Sequence, residues 1–272
     1  AVKKVMSFLK NINDTTIFKL YDLDIKSIEL SEMVDEIEVI IVNDGSDDNH
    51  NLNNIEKDFK FPIKVINIEK KDKWYTNPCV PYNIGFKEVL GNVVIIQNPE
   101  CLHVGDIIKY VDYNMGDDNY LSFSTYSLNY EKTNLLDGIK LKSGEIMKTI
   151  KPLIMEPYKV EGDNGWYNHS TIRNKGYHFC SAITKENLIN ELNGFDERYS
   201  GGIAFDDDEL VVRIKRLGLK IEIVDSPMVV HQWHTTGNSF KQTPLFWEKF
   251  RKNQKLFNEV TNNEKTYKVN IK

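Results

Sequence analysis

Cysteine is scarce in this chain of 272 residues: Cys79, Cys101 and Cys180 are an odd number at wide spacing. That excludes a disulfide framework and reads as reduced thiols in a cytoplasmic setting. Zinc sites built on close Cys/His pairs are excluded too. No apolar run approaches the roughly 20 residues that cross a bilayer. Val5 to Leu9 is too short for the apolar core of a secretory signal, so no leader is expected. The chain opens on Ala1, as one domain of a longer protein can. The net charge of -5 comes with no Lys/Arg stripe, which argues against a nucleic-acid partner. A Gly-rich, basic phosphate loop is missing near the N-terminus, against a nucleotidyltransferase. Repeats and low-complexity segments are missing as well.

What is present is an ordinary globular composition, with 40% hydrophobic and 28% charged residues. The length suits one large α/β domain or two small ones. Lys4 to Leu9 reads as a first strand and Thr15 to Met33 as a helix. Ile37 to Val42 is a dense β-branched run that stops at the turn residues Asn43-Asp44-Gly45-Ser46. Ser46 or Asp47 then caps a helix running to about Asp58. Ile63 to Ile68 and Val93 to Gln97 are further strands, with a helix from Pro81 to Leu90 between them. Strands apolar on both faces, alternating with helices, predict a mostly parallel sheet covered on two sides. Ligands bind beyond the carboxyl ends of such strands, where Asp44 and Asn98-Pro99-Glu100 stand.

Asn114 to Gly176, rich in Tyr, Asn and Gly, reads as long loops with a few strands. His178 to Ala182 reads as a strand and Lys185 to Leu192 as a helix. A further helix spans Glu209 to Leu217 and ends at Gly218. Ile221 to Val224 and Met228 to His231 read as two strands. Pro244 to Val260 has the apolar spacing of one amphipathic helix packed on the body.

Four consecutive acids, Asp206-Asp207-Asp208-Glu209, open that penultimate helix. Their mutual repulsion is costly, although a helix N-terminus offsets part of it. Crowded carboxylates raise one another's pKa toward the range of a general base, and Asp207 is the candidate. The plain alternative is a solvated acidic cap. Asp44 can accept from a base or ribose, or simply make an Asx turn. Glu100 offers a carboxylate to a divalent cation, with His103 nearby, or merely ends the strand. His231 and His234, in Val230-His231-Gln232-Trp233-His234, can complete such a site. Trp166 offers a ring to a sugar face, or is core.

These motifs resemble family-2 glycosyltransferases of the GT-A fold. Ile37 to Ser46 is similar to their strand ending in Asp-Asp-Gly-Ser, and Gly194-Phe195-Asp196-Glu197 to their Gly-Phe-Asp-Glu turn. Asp206 to Arg213 is similar to their Glu-Asp-x-Asp/Glu-Leu-x-x-Arg helix. Tyr177 to His234 resembles the C-terminal region of galactosyltransferase-type members. The resemblance implies a GT-A domain over 1–240, with a nucleotide-binding half (about 1–115) and an acceptor half (about 116–240), and a helical tail over 241–272. It implies inverting transfer from a nucleotide sugar, UDP foremost, to a hydroxyl of a glycan-type acceptor. Asp207 would be the base, with Asp206 beside it. Asp44, Asn83, Gly85 and Asn98 would bind the donor. Glu100 and His231 would hold Mn2+ or Mg2+, and Trp166, Asp208 and His234 would meet the acceptor. Asn98-Pro99-Glu100 stands where the family has Asp-x-Asp, and Tyr82 where it has Arg. Those differences leave a second reading, a non-catalytic carbohydrate- or nucleotide-binding module on the same fold.

Overall fold

A computed structural model describes the backbone of residues 3–10 and, with side chains except at 56 and 145, residues 25–46, 52, 55–136, 145–154, 158–234 and 243–270. Nine strands form one sheet among these residues. They are β1 (Lys3–Lys10), β2 (Ile37–Asp44), β3 (Ile63–Ile68), β4 (Val93–Gln97), β5 (Cys101–Val104), β6 (Asn119–Ser127), β7 (Trp166–Asn168), β8 (Cys180–Thr184) and β9 (Lys220–His231). The order is β3-β2-β1-β4-β8-β6-β9-β5, and β7 pairs with β6. β3, β2, β1 and β4 are mutually parallel. β8 then runs antiparallel to both β4 and β6. The helices are α1 (Cys79–Phe86), α2 (Ile107–Asn114), α3 (Tyr130–Asn134), α4 (Glu145–Ile150), α5 (Asp206–Leu217) and α6 (Pro244–Asn263).

The strands alternate between two buried faces, as a period of two requires. Ile37, Val39, Ile41, Val93 and Ile95 pack into one core with Leu121, Phe123 and Ala182. Ile40, Val42, Val94 and Ile96 pack into the other, beneath α1 and α5, with Phe86, Leu210 and Ile214. A third core, including Leu102, Tyr126, Trp166 and Val230, underlies the far end of the sheet with α4. Burial on both faces is the mark of a parallel sheet sandwiched by helices.

The expected strands at 37–42, 63–68 and 93–97 are present, and α5 ends at Gly218 in the left-handed conformation, φ 90°. Four expectations change. The stretch 114–176 holds a nine-residue strand, β6, buried along its whole length. The two strands at 221–231 are one continuous β9. α1 starts at Cys79 and stops at Phe86, and 186–191 is a π-turn. The expected helix after Ser46 lies largely outside the described residues, as does most of the one expected at 15–33. No described helix is long and apolar enough to cross a membrane.

Candidate active site

Strand pairing assembles the first cluster. β5 runs antiparallel to β9, with Cys101 opposite His231. That register sets Glu100, just before β5, beside the end of β9. Its Oε1 lies 3.2 Å from His231 Nε2 and 4.0 Å from His234 Nε2. One ligand atom from each of the three falls within 4.8 Å of the others. Asn98 Nδ2 donates to Glu100 Oε1 at 3.1 Å, and Tyr82 OH donates to Asn98 Oδ1 at 2.9 Å. Burial opposes ionisation of Glu100, but the hydrogen bond and charge of His231, with His234, outweigh it and hold the carboxyl at about 2. His231 is buried edge to face against the stacked rings of Tyr167 and Phe179, and its Nδ1 has no hydrogen-bond partner among the described residues. One carboxylate and two imidazoles fit a divalent transition ion such as Mn2+ better than Mg2+, which prefers oxygen ligands throughout. His103 stays apart: it is buried against Gln97 Oε1, and burial pulls it down to about 4.

The acid cluster forms the second wall. Asp206 is 6% exposed and accepts from Asn77 Nδ2 at 2.7 Å. Asp208 accepts from Tyr177 OH at 2.9 Å. Asp207, half-buried between them, takes a backbone bond from Asp208 N, and no side chain among the described residues donates to it. Burial, then the charges of Asp206 and Asp208, push the Asp207 carboxyl up to about 8. Its two neighbours spend an oxygen each on a side-chain donor while the middle carboxyl gains proton affinity; this is the arrangement a general base needs.

Tyr82 and His178 stand between the two clusters. Their rings meet edge to face at 5.2 Å, and both pack on Phe195. Burial first, then Glu100, Asp206 and Asp207, drive the Tyr82 hydroxyl far above its ordinary pKa. Burial brings His178 down to about 4 against the pull of Asp206 and Glu100, so it is a neutral imidazole facing both clusters. Its Nδ1 is buried without a hydrogen-bond partner among the described residues. At the end of β2, Asp44 is 3% exposed, with Lys73 Nζ at 2.6 Å and Tyr75 OH at 2.5 Å. The same short segment continues to Asn77, which holds Asp206, so residues 73–77 tie the Asp44 turn to the acid cluster.

Some expected residues do other work. Asn83 spends its amide on the 194–197 turn: Oδ1 accepts from Phe195 N, and Nδ2 donates to Phe195 O and Glu197 Oε1. Its amide braces that turn. Gly85 is buried within α1. Trp166 is 6% exposed, packed on Tyr126 in the third core, and offers no ring to an acceptor. The next residue on β7, Tyr167, points the other way and meets His231, as strand alternation dictates.

Sequence reasoning missed His178, Asn77 and Lys73 as neighbours of the site, and from the aromatic segment 166–169 it singled out Trp166 and not Tyr167. One signal could have found His178. An antiparallel strand begins where its parallel neighbours end, and Cys180 of β8 pairs with Gln97 of β4. The residues just before β8 therefore lie beside Asn98 and Glu100.

No protein-family model matches the chain, and no curated protein matches it in sequence. Its fold is similar to that of S. aureus TarS 1-349 in complex with UDP-GlcNAc, with a TM-score of 0.63 at 14% identity, covering 96% of this chain and 67% of that one. A second structure of TarS 1-349 gives 0.59 at 15%, covering 96% and 66%. The mannosyltransferase PcManGT from Pyrobaculum calidifontis, in complex with GDP-Man and Mn2+, gives 0.52 at 12%, covering 87% and 58%. The chain thus spans about two thirds or less of the length of these proteins. At such identities the likeness is one of fold, and the fold of this chain is the mixed α/β fold of GT-A-like glycosyltransferases.

Proposed function

We propose that this chain is an inverting glycosyltransferase that moves a hexose from a nucleotide sugar, with UDP as the nucleotide, to a hydroxyl of a glycan-type acceptor. One observation carries the reading. A Glu/His/His cation triad and a carboxylate with raised proton affinity face one another across Tyr82 and His178. The fold neighbours support the substrate class, since their structures hold UDP-GlcNAc in one case and GDP-Man with Mn2+ in another.

In this reading Asp44 receives the uracil or ribose, with Lys73 and Tyr75 holding its carboxylate in place. Gly85 and Asn98 belong to the donor side. Glu100, His231 and His234 would hold the cation, and the bound ion would neutralise charge on the departing diphosphate. The acceptor hydroxyl forms a bond to the anomeric carbon as the bond from that carbon to the phosphate oxygen breaks. The acceptor proton passes to Asp207, and the electron pair leaves with UDP. Asp206 and Asp208, fixed by Asn77 and Tyr177, keep Asp207 proton-avid and aimed. Asp208 stands on the acceptor side.

Incubating the chain with UDP-, GDP- and dTDP-sugars, with and without Mn2+, tests this through nucleotide release. UDP freed from a UDP-hexose only when Mn2+ is present is the expected outcome. Nucleotide-sugar binding without release would mark a non-catalytic module, and no binding at all would end the reading.

A further inference from the structure

We propose that α6 is a positioning element of the acid cluster, acting chiefly through Asn253; this rests on the reading of Asp207 as the base. The approach to α5 is strained. Ala204 (φ 61°) and Phe205 (φ 69°) are consecutive non-glycine residues in the left-handed region, immediately before Asp206. Such backbone persists only where its surroundings over-determine it, and α6 provides the surroundings.

Asn253 is fully buried, 0% exposed, on a helix whose neighbouring residues are mostly exposed. Its Nδ2 donates to Tyr199 O at 3.1 Å and to Ala204 O at 2.9 Å, spanning the whole turn. Lys249 O accepts from Ile203 N at 3.3 Å. Gly202 lies so close that a Cβ there would stand 2.0 Å from Asn253 Oδ1. The Phe205 ring is held at 5.1 Å by Phe250 and at 5.5 Å by Phe257. Lys249 Nζ also donates to Thr76 Oγ1 at 2.6 Å, next to the Asn77 that grips Asp206. The helix therefore holds both the strained turn and the segment that aims the first acid. Released from it, residues 204 and 205 relax toward ordinary backbone, and Asp206 to Asp208 rotate out of line with Asn77 and Tyr177. Asp44, Glu100 and His231 lie on other elements and stay in place.

Asn253→Ala in the full chain tests this through three readouts. Turnover of the best donor should fall about 10–100-fold, the scale of a small misplacement near the chemistry. UDP affinity in Mn2+ should not change. Backbone amides of 203–209 should exchange faster with solvent, while those of β2 and β4 keep their protection. Gly202→Ala should act alike, because its Cβ displaces the same contact. The double variant should be no worse than Asn253→Ala alone, since removing the amide makes room for the methyl. Unchanged exchange at 203–209 in both single variants would overturn the proposal. So would turnover and UDP affinity falling together. If the unaltered chain turns over no donor, the glycosyltransferase reading fails by itself, while exchange and UDP affinity still decide whether α6 clamps the turn.

Discussion

Strands β2 and β4, in the parallel half of the sheet, bury isoleucine and valine on both faces, whereas β6 and β8, in the mixed half, bury serine, threonine and tyrosine just as deeply. The first arrangement stabilises by removing apolar surface from water, about 1.5–3 kcal/mol for each fully buried aliphatic side chain. The second costs stability wherever a hydroxyl finds no partner. Ser122 Oγ donates to Tyr177 O at 2.6 Å and accepts from Asn168 Nδ2 at 2.9 Å, and Thr125 Oγ1 donates to Phe123 O at 3.1 Å. At the rim of that half, His178 and His231 keep a buried nitrogen without a hydrogen-bond partner among the described residues. One half of the molecule is thus a scaffold. The other carries buried polar groups, some met by their neighbours and some, like Tyr120 OH and Ser181 Oγ, without a hydrogen-bond partner among the described residues.

The largest effect that could break this division is expected at Asp207. Asp207→Asn should lower turnover by about 10²–10⁴-fold while leaving UDP binding intact. Its carboxyl titrates near 8 in the folded protein, against about 3.9 in an unfolded chain. The folded state therefore holds that proton more tightly. The stability this confers is present at low pH and is lost as pH climbs through about 8. Turnover moves the opposite way and rises over the same range, because the base must be unprotonated. The Asn variant should abolish that rise and melt higher than the parent on the alkaline side; kcat and melting curves against pH check both. A variant that stays active would remove the base from Asp207.

Ile95→Ala addresses the scaffold. It should cost about 2–5 kcal/mol in urea unfolding and leave Mn2+ affinity of the folded protein unchanged. A lost cation site in a folded variant would show that the two halves are not separable. The smallest effect is expected at Asn98→Ala, which removes the partner of Glu100. Calorimetry should find Mn2+ bound about 10–100-fold more weakly, with the melting temperature unmoved.

The same contrast explains what could be read before the structure. β2, β3 and β4 were legible because short stretches dense in isoleucine and valine have few alternatives. β6 was not, because Asn119 to Ser127 mixes aromatics with hydroxyls, and nothing local shows that Tyr177, Asn168 and Asp225 will satisfy them. Glu100, His231 and the aspartates were legible as residue types able to do chemistry. Trp166 was left open between a ring for a sugar and core, because strand alternation decides which ring of 166–168 turns to the core, and three-residue β7 was not foreseen. Asn83 looked like a ligand because the turn at 194–197 that consumes its amide is remote in sequence.

Composition and periodicity by themselves determined a doubly covered α/β sheet, the strand ends where ligands gather, and a crowded acidic helix start. Those are local properties: side-chain shape, alternation and charge spacing act over a few residues. Only the tertiary structure decided which carboxylate is left without a side-chain donor, which imidazoles meet Glu100, and that α6 grips the strained turn before Asp206. Those depend on strand register and helix packing between distant segments, where a shift of one residue turns a side chain to the opposite face.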